Sequence, residues 1–252
     1  MQVTFLGTGT SMGVPVAGGF GMENMSGDPR NFRYRCSVWV KEKNKSILID
    51  TGPEFRLQSI RSGLTRIDYL LITHEHTDHI GGLDDLRPFN YKQKAPVPVI
   101  TTPQAEDAIK TRFNYMFEPN KTPGSVDVDF QQQQEQYELE GLKIQPLPVY
   151  HGEMPVYGFR INDFSYITDV NYIPPETKEK IKGSKVLVLS GLRWKPKHPT
   201  HYTIPEAVEV ANELGVEHTW LVHMSPHVNH ETTNKSLPSH VQLAYDQLQI
   251  TI

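Results

Sequence analysis

Residues 68–82 read DYLLITHEHTDHIGG: an apolar strand runs directly into four side chains that can bind metal, His74, His76, Asp78 and His79. Alternate residues of an extended chain share one face, so His74 and His76 are expected to point the same way. Asp78 and His79 follow at the start of a predicted helix and can turn toward a second point nearby. The spacing can therefore serve two metal ions, and imidazole and carboxylate ligands suit Zn²⁺, Mn²⁺ or Fe.

Two glycines, Gly81 and Gly82, close this segment. They are expected to relieve crowding where the backbone turns beneath the site, because glycine has no Cβ. The helix itself is predicted from about Gly82 to Arg87. A solvated polar loop is the alternative interpretation, but this density of ligand types directly after an apolar strand favours a metal site.

The composition is that of an ordinary globular protein. The 252 residues can form one large domain with a substantial core, since 37% of them are apolar. The net charge of −4 does not indicate a broad basic surface for long nucleic acids. The single cysteine, Cys36, excludes an intramolecular disulfide. No stretch approaches the ~20 apolar residues of a membrane span, and no signal peptide is recognisable, so we expect a cytoplasmic location.

The apolar pattern predicts strands in the first half of the chain and alternating strands and helices in the second. The predicted strands are Val3–Leu6, Cys36–Val40, Ser46–Ile49, Asp68–Thr73, Val97–Thr101, Leu142–Val149, Val156–Ile161, Phe164–Thr168, Val186–Ser190 and Thr219–His223, with a further strand within Val241–Ile252. The other predicted helices are Glu54–Ser62, Pro103–Phe113, Pro174–Lys182 and Ile204–Leu214.

No linker divides these elements. We therefore predict a single domain over residues 1–252, of the layered α/β (α+β) class with helices outside. Residues 12–31 have no periodicity and are predicted to form a loop. Residues 114–136, which include four consecutive glutamines, are predicted to form an insertion loop or cap.

The pattern H-x-H-x-D-H at residues 74–79 resembles the signature of the metallo-β-lactamase superfamily. The resemblance implies an αββα sandwich of two mixed sheets, with the site at one edge of the sheets. It also implies three distant ligands at strand ends, namely His151 after LPVY, Asp169 after FSYIT and His223 after TWLV. Asp50, which follows SILI, matches the superfamily's supporting aspartate.

The resemblance further implies how these ligands divide between two divalent ions, Zn²⁺ or Mn²⁺. One ion is expected on His74, His76 and His151, the other on Asp78, His79 and His223, with Asp169 bridging them. Two ions ~3.5–4 Å apart share a hydroxide and lower its pKa toward neutrality. The arrangement suits hydrolysis of a phosphodiester by attack of that bridging hydroxide, and suits an ester, thioester or amide less distinctively.

Three further stretches narrow the resemblance. FLGTGTSMGVP at residues 5–15 resembles an opening shared by ribonuclease Z and by the 5-phosphoribosyl 1,2-cyclic phosphate phosphodiesterases of the carbon–phosphorus lyase pathway. Arg35-Cys36-Ser37 and the carboxyl end, Leu237–Ile250, resemble the cyclic phosphodiesterases more closely. The similarity covers nearly the whole chain. The resemblance implies a small phosphorylated substrate, either a sugar phosphate or a nucleotide, including cyclic forms of both. It also implies that the protein forms a homodimer.

His201, within HPTHYTIPEA, occupies the place where both phosphodiesterase types carry an extra histidine near the scissile phosphate. A histidine there can protonate the leaving alkoxide or bind a nonbridging oxygen as a cation. Asp78 and His201 are therefore the predicted catalytic residues. Arg193, Lys195 and Lys197 form a small basic run upstream, which is expected either as a solvated face or as a contact to a second phosphate.

Departures from these relatives keep other functions open. The carbon–phosphorus lyase enzymes carry a cysteine cluster for an additional structural zinc, whereas AGGFGMENMSGDPRN at residues 17–31 has no cysteine. No long basic arm for tRNA is evident, and residues 114–136 are a poor electrostatic match to tRNA. The alternatives are a metallo-hydrolase of an ester, thioester or lactone, a tRNA-processing endonuclease, and a non-catalytic nucleotide binder.

Overall fold

The structure is a computed structural model that describes residues 1–22, 27–120 and 124–252. Part of the loop predicted over residues 12–31 and part of the insertion predicted over residues 114–136 lie outside these ranges. No helix in the described residues has the length and apolar character needed to span a membrane.

The first of two seven-stranded sheets in the described part of the chain is built mostly from the amino-terminal half. Its strands, in spatial order, are β14 (Gln249–Thr251), β1 (Gln2–Gly7), β2 (Ser37–Glu42), β3 (Lys45–Ile49), β4 (Tyr69–Leu71), β5 (Val97–Ile100) and β6 (Val128–Phe130). Strands β14 to β3 pair antiparallel, and β3 to β6 pair parallel. The sheet is therefore mixed.

The second sheet mirrors this arrangement. Its strands, in spatial order, are β13 (Val241–Leu243), β12 (His218–Val222), β11 (Val186–Ser190), β10 (Phe164–Ile167), β9 (Met154–Ile161), β8 (Leu142–His151) and β7 (Tyr137–Leu139). Strands β13 to β10 pair parallel, and β10 to β7 pair antiparallel.

Three apolar clusters define the layers. One cluster lies between the two sheets and includes Val38, Ile49 and Phe159. The helices are α1 (Phe55–Ser62), α2 (Thr77–Ile80), α3 (Arg87–Gln93), α4 (Pro103–Arg112), α5 (Pro175–Ile181), α6 (Ile204–Leu214) and α7 (His230–Lys235). Helices α1, α3 and α4 cover the outer face of the first sheet, and α5 and α6 cover the second. The predicted αββα sandwich of two mixed sheets with helices outside is confirmed.

Helix α6 shows how local signals set an element's ends. Thr203 accepts a hydrogen bond from the Glu206 backbone N–H, and the Glu206 carboxylate accepts one from Thr203 N in return, which is a capping box. At the other end Gly215 adopts a left-handed φ of 63°, which stops the helix. The apolar face of helix α6 is buried against the second sheet.

Several elements differ from the sequence-based expectation. In place of the helix predicted from about Gly82 to Arg87, a 3-10 turn spans Leu83–Leu86 and helix α3 follows at Arg87–Gln93. Strand β6 at Val128–Phe130 lies within the segment predicted as irregular, and it extends the first sheet beside β5. Strand β7 and helix α7 are also additional. The carboxyl end forms two strands rather than one: β13 joins the second sheet, and β14 crosses to pair with β1 in the first. Short strands are stabilised by their partners, so their own few residues carry little signal.

The carboxyl ends of six strands meet at one edge of the sandwich. Strands β3 and β4 are parallel neighbours in the first sheet, and β10, β11 and β12 are parallel neighbours in the second. Strand β8 runs in the same direction as β10, because both pair antiparallel with β9. The residues that follow these strands are therefore brought together, which is where open α/β sheets place ligand sites.

Candidate metal centre

The seven side chains predicted as metal ligands all lie at this edge. They form two groups whose ligand atoms lie within 4.8 Å of one another: His74, His76, His151 and Asp169 form one, and Asp78, His79, Asp169 and His223 form the other. Asp169 belongs to both groups. This grouping matches the predicted division between two ions, including the shared carboxylate.

The helical turn after the strand begins inside the histidine cluster, earlier than the predicted start at Gly82. Helix α2 starts at Thr77, and His79 N donates to His76 O at 2.9 Å. The extended residues His74 and His76 therefore face the first group. Asp78 lies on the helical turn, which directs it and His79 toward the second group.

Glycines let two backbone segments approach each other beneath this turn. A Cβ on Gly82 would lie 2.3 Å from Gly52 O, and a Cβ on Gly52 would lie 2.4 Å from Asp78 O. Neither position accepts a side chain without a backbone shift. The expectation that Gly82 relieves crowding below the cluster is confirmed, and Gly52, next to Thr51, supplies the opposing contact.

Thr73 and Asp50 orient two of the histidines. The Thr73 hydroxyl donates to Asp50 Oδ2 at 2.9 Å and lies 2.9 Å from His74 Nδ1, so it accepts the N–H of His74. His79 Nδ1 lies 2.7 Å from Asp50 Oδ2 and donates to it. In both rings the proton is held at Nδ1, and the Nε2 lone pair is left to face the site.

His151 is oriented in the same way by a backbone carbonyl. Its Nδ1 lies 2.8 Å from Thr200 O, which can only accept, so the proton lies at Nδ1 and the lone pair at Nε2. His151 is the last residue of strand β8, while Thr200 precedes helix α6. The third histidine of the first group is thus fixed by a segment distant in sequence.

Three site residues adopt a left-handed backbone that glycine normally occupies. The φ angles are 61° at Asp50, 51° at Asp169 and 60° at His223. Each follows a strand, and the left-handed turn redirects the chain there. Non-glycine residues in this region cost about 1–3 kcal/mol each and cluster at functional sites, with Asp and His among those that tolerate it best.

The distances between ligand atoms fit a tetrahedral ion. His74 Nε2 lies 3.0 Å from His76 Nδ1, and His79 Nε2 lies 3.1 Å from Asp78 Oδ2 and 3.5 Å from Asp169 Oδ2. Ligands at ~2.1 Å from a tetrahedral Zn²⁺ would stand roughly 3.4 Å apart. His79 Nε2 and His223 Nδ1 are buried, and the described residues give them no hydrogen bond of acceptable geometry. The donor set therefore fits Zn²⁺ or Mn²⁺.

The charges in the second group are strongly coupled. Burial alone would raise the pKa of Asp169, but the neighbouring His223 and His79 hold it well below its usual range. Burial likewise would lower the pKa of His223, but the Asp169 carboxylate raises it to about 10. The pKa of Asp78 is also lowered, mainly by His79 acting against burial. In the absence of metal the carboxylates therefore stay ionised, and His79, whose pKa is raised, and His223 carry protons that a bound cation would displace.

His201 stands between the two groups and a pocket. Its ring centroid lies 4.6 Å from that of His151 and 4.7 Å from that of His223, with which it is stacked. Burial, reinforced by His223, lowers the pKa of His201 to about 3, so the imidazole is neutral here. Its Nδ1 has no hydrogen-bond partner among the described residues, which leaves capacity for a ligand oxygen.

The three residues of the basic run, Arg193, Lys195 and Lys197, lie in different surroundings in the structure. Arg193 lines a cavity together with His201. Lys197 instead pairs with Glu206 at 2.8 Å on the outside of helix α6, with 84% of its side chain exposed. Lys195 is exposed and does not line that cavity. The structure thus brings only Arg193 of the three close to His201.

Two threonines that touch site histidines were not singled out from the sequence. Thr73 was predicted only as the end of a strand, and Thr10 lies 3.4 Å from His223 Nε2. A hydroxyl at the buried end of a strand beside ligand-type residues is the signal that could have found Thr73. Thr10 offers no comparable local signal, because residues 10 and 223 meet only in the folded chain.

Residues 45–224, well over half of the chain, match the family model of the beta-lactamase superfamily domain. An octanoyltransferase of Porphyromonas gingivalis is 34% identical over 263 residues; the match includes the whole of this chain, which spans about half (52%) of the length of that relative. A ribonuclease Z of a Mycobacterium species is 24% identical over 257 residues, covering 90% of this chain and 85% of that protein.

Solved structures share the fold over the full chain. The crystal structure of a diphosphatase described as new in the PhnP family superimposes with a TM-score of 0.91 at 39% identity, covering 100% of this chain and 97% of that one. Zn²⁺-bound PqqB from Methylobacterium extorquens has a TM-score of 0.81 at 16% identity, covering 100% of both chains. At that identity the second likeness supports the fold alone.

Proposed function

Because the chain belongs to the metallo-β-lactamase superfamily, we propose that it is a dinuclear metal-dependent phosphodiesterase that hydrolyses a small phosphorylated substrate. One observation carries the proposal: two complete ligand groups share Asp169, and His201 stands directly beside both of them. Cyclic sugar phosphates and nucleotides are the substrate class that we propose.

Two divalent ions held by these groups would activate a water molecule as the nucleophile and neutralise negative charge on the substrate phosphate. The residues around the two ligand groups would orient the metal-binding side chains. Asp50 and Thr73 hold the rings of His74 and His79, and the Thr200 carbonyl holds His151. Asp169 reaches both groups and sets their separation.

His201 would contact the scissile phosphate. Its burial keeps water away from the ring, and its unpartnered Nδ1, in the neutral imidazole, can donate a hydrogen bond to a phosphate oxygen or to the leaving oxygen. Arg193 lies along the same cavity and adds a positive charge for the substrate. The likeness to the diphosphatase of the PhnP family supports a phosphorylated substrate and does not specify its class.

An acyl-transfer reaction is the second candidate function. It is favoured by the Porphyromonas gingivalis relative named octanoyltransferase, of which this chain matches about half. The same ligand groups would serve a thioester or ester, and His201 would then be incidental. Turnover of an octanoyl thioester by metal-replete protein, together with inactivity on phosphodiesters, would select this function.

The test is hydrolysis of bis(p-nitrophenyl) phosphate by protein loaded with Mn²⁺ or Zn²⁺. His201→Ala is expected to lower kcat by roughly 10²–10³-fold, the usual cost of removing one hydrogen bond that stabilises charge in the transition state. Metal content, measured by elemental analysis, should stay unchanged, because His201 is not among the proposed ligands.

The matched control is His218→Ala. His218 is an exposed histidine at the amino end of β12, the opposite end from His223. Its replacement should leave kcat and metal content unchanged. Loss of metal in His201→Ala would show a structural role for that residue, and inactivity of metal-replete wild-type protein on every phosphodiester would contradict the proposal.

A further inference from the structure

A cavity of about 250 Å³ opens beside His201, and its lining is of two kinds. Its polar lining includes Arg193, His198 and His201, next to the candidate metal centre, together with Thr10, Ser11, Ser225 and His227. Its apolar lining, called the apolar wall below, consists of Met12, Phe20, Leu192 and Pro226. A phosphate and a planar apolar ring can therefore be accommodated side by side.

The apolar wall exposes more hydrophobic surface than the fold requires. Phe20 is 52% exposed and Met12 is 53% exposed. Phe20 meets the His227 ring edge to face at 5.7 Å, but that contact covers only part of it. Met22, on the same loop, is 57% exposed. Single exposed apolar side chains are ordinary, whereas three within eleven residues beside a catalytic pocket indicate a binding surface.

The loop that carries Phe20 is held in place. Val16 N donates to Phe20 O at 2.9 Å, and Gly19 N donates to Val16 O at 3.0 Å. Gly21 has a φ of 87°, and a Cβ there would lie 2.5 Å from Pro226 Cβ, so only glycine lets the loop lie against Pro226. The backbone at Phe20 is therefore set before any ligand arrives, which lowers the entropic cost of ordering this loop on binding.

Arg193 is held in place within the polar lining of the cavity. Its Nε donates to Pro196 O at 2.9 Å, which orients the guanidinium and leaves its terminal nitrogens for another acceptor. Its backbone carbonyl accepts from Ile204 N at 2.9 Å and ties it to the start of helix α6. No carboxylate in the described part of the chain forms an ion pair with it. A guanidinium held in this way suits a phosphate.

We propose that this cavity is a nucleobase subsite and that the substrate is a nucleotide, with the base against Phe20 and Met12 and the phosphate toward Arg193 and His201. The inference rests on the proposed phosphodiesterase function and narrows its substrate class. Aromatic side chains stack on bases of any sequence, since every base presents a π-face. A sugar phosphate without a base would leave the apolar wall in water.

The volume of the cavity indicates the size of the ligand group that it can hold. A volume of about 250 Å³ lies below the ~300–1,000 Å³ of pockets that enclose drug-sized molecules. That volume has room for one ring system. The subsite is thus suited to a mononucleotide unit rather than to an RNA strand.

The experiment is calorimetric titration of Mn²⁺-loaded protein with AMP and with ribose 5-phosphate, which share a sugar and a phosphate and differ by adenine. AMP is expected to bind at least about tenfold more tightly, given the usual contribution of base–aromatic stacking. Phe20→Ala should remove most of that ratio and leave the affinity for ribose 5-phosphate within about twofold. Arg193→Gln should weaken both ligands by a similar factor.

Phe32→Ala is the matched control. Phe32 is a 38% exposed aromatic residue that packs against Tyr34 and does not line the cavity, so its replacement should change neither affinity. Equal affinities for AMP and ribose 5-phosphate, no detectable AMP binding at millimolar concentration, or equal weakening of both by Phe20→Ala would overturn the inference.

Turnover of bis(p-nitrophenyl) phosphate is measured separately, so that the two proposals fail independently. Base-dependent binding without turnover would support the subsite and contradict the phosphodiesterase. Turnover with equal affinities for the two ligands would support the phosphodiesterase and contradict the subsite.

Discussion

Replacing Thr73 by valine tests whether the hydrogen bonds beneath the candidate metal centre set its metal affinity. Valine keeps the shape of threonine and removes only the hydroxyl. That hydroxyl lies 2.9 Å from both Asp50 Oδ2 and His74 Nδ1, and it is fully buried. Its loss leaves the His74 Nδ1–H without an acceptor and takes one hydrogen bond from the Asp50 carboxylate.

The expected magnitude follows from these contacts. Leaving one buried donor unsatisfied costs about 1–3 kcal/mol of the free energy of unfolding. Removing a group that orients a metal-binding histidine typically costs 10–100-fold in metal affinity. We therefore expect Thr73→Val to weaken Zn²⁺ binding by roughly 10–100-fold. The backbone hydrogen bond from Thr73 N to Asp50 Oδ1, at 2.8 Å, is retained, so the strand end stays in place.

The assay is Zn²⁺ competition against a chromophoric chelator, with Thr73→Ser as the matched control. Serine keeps the hydroxyl and loses a methyl group, so it should lower stability modestly and leave Zn²⁺ affinity within about threefold. Urea unfolding in excess chelator measures the stability of each variant without metal. Equal Zn²⁺ affinities for the valine and serine variants would refute the reasoning.

Three further predictions address stability and substrate contacts. Burial raises the pKa of Asp246 to about 7. The hydrogen bonds that it accepts from Tyr34 N and Thr8 Oγ1, and the charges of Arg33 and Arg61, only partly offset this effect. In the folded protein Asp246 therefore keeps a proton that the unfolded chain releases near pH 4. Because of this difference, the free energy of unfolding falls as the pH rises toward 7, by at most about 4 kcal/mol from this group. Asp246→Asn should flatten that slope in urea unfolding at pH 5 and pH 7.5, and an unchanged slope would contradict this account. Gly82→Ala should lower the free energy of unfolding by about 1–3 kcal/mol, since its Cβ would lie 2.3 Å from Gly52 O; a calorimetric melting temperature equal to that of wild type would refute the close approach. Lys197→Ala should leave kcat/KM on bis(p-nitrophenyl) phosphate within about twofold, because Lys197 pairs with Glu206; a loss of tenfold or more would restore it as a phosphate contact.

Elements with strong local signals were predicted closely. Strand β11 and helix α6 have the predicted bounds, Val186–Ser190 and Ile204–Leu214. The strand is a continuous apolar run, and the helix combines an apolar face with a capping box and a terminal glycine. Each of these signals acts within a few residues, so no knowledge of the rest of the chain is needed.

Three short strands that form only by pairing with another strand were not predicted as separate elements. Strands β6, β7 and β14 have three residues each, and β14 exists because it pairs with β1 at the other end of the chain. The alternation in Val241–Ile252 indicates extended structure without indicating which sheet receives it. Pairing is a non-local interaction, and three residues cannot specify it.

For the site, the sequence by itself determined which residue types are present and how the local cluster is spaced: residues 74–79 place four ligand-type side chains within one strand end and one turn. Through the resemblance it also indicated His151, Asp169 and His223, because strand ends are recognisable locally. The resemblance also implied that the strand ends meet at one edge and that Asp169 bridges the two groups; the tertiary structure supplies the distances at which these ligand atoms lie, within 4.8 Å of one another in each group.

The tertiary structure alone also decided which nitrogen of each histidine faces the site, and which of three basic residues faces the pocket. His151 is oriented by a carbonyl 49 residues away, and Asp50, Asp169 and His223 take left-handed φ angles that no local pattern announces. The physical reason is that a side chain's identity is a local property, whereas its hydrogen-bond partner and direction depend on segments that meet only when the two sheets pack.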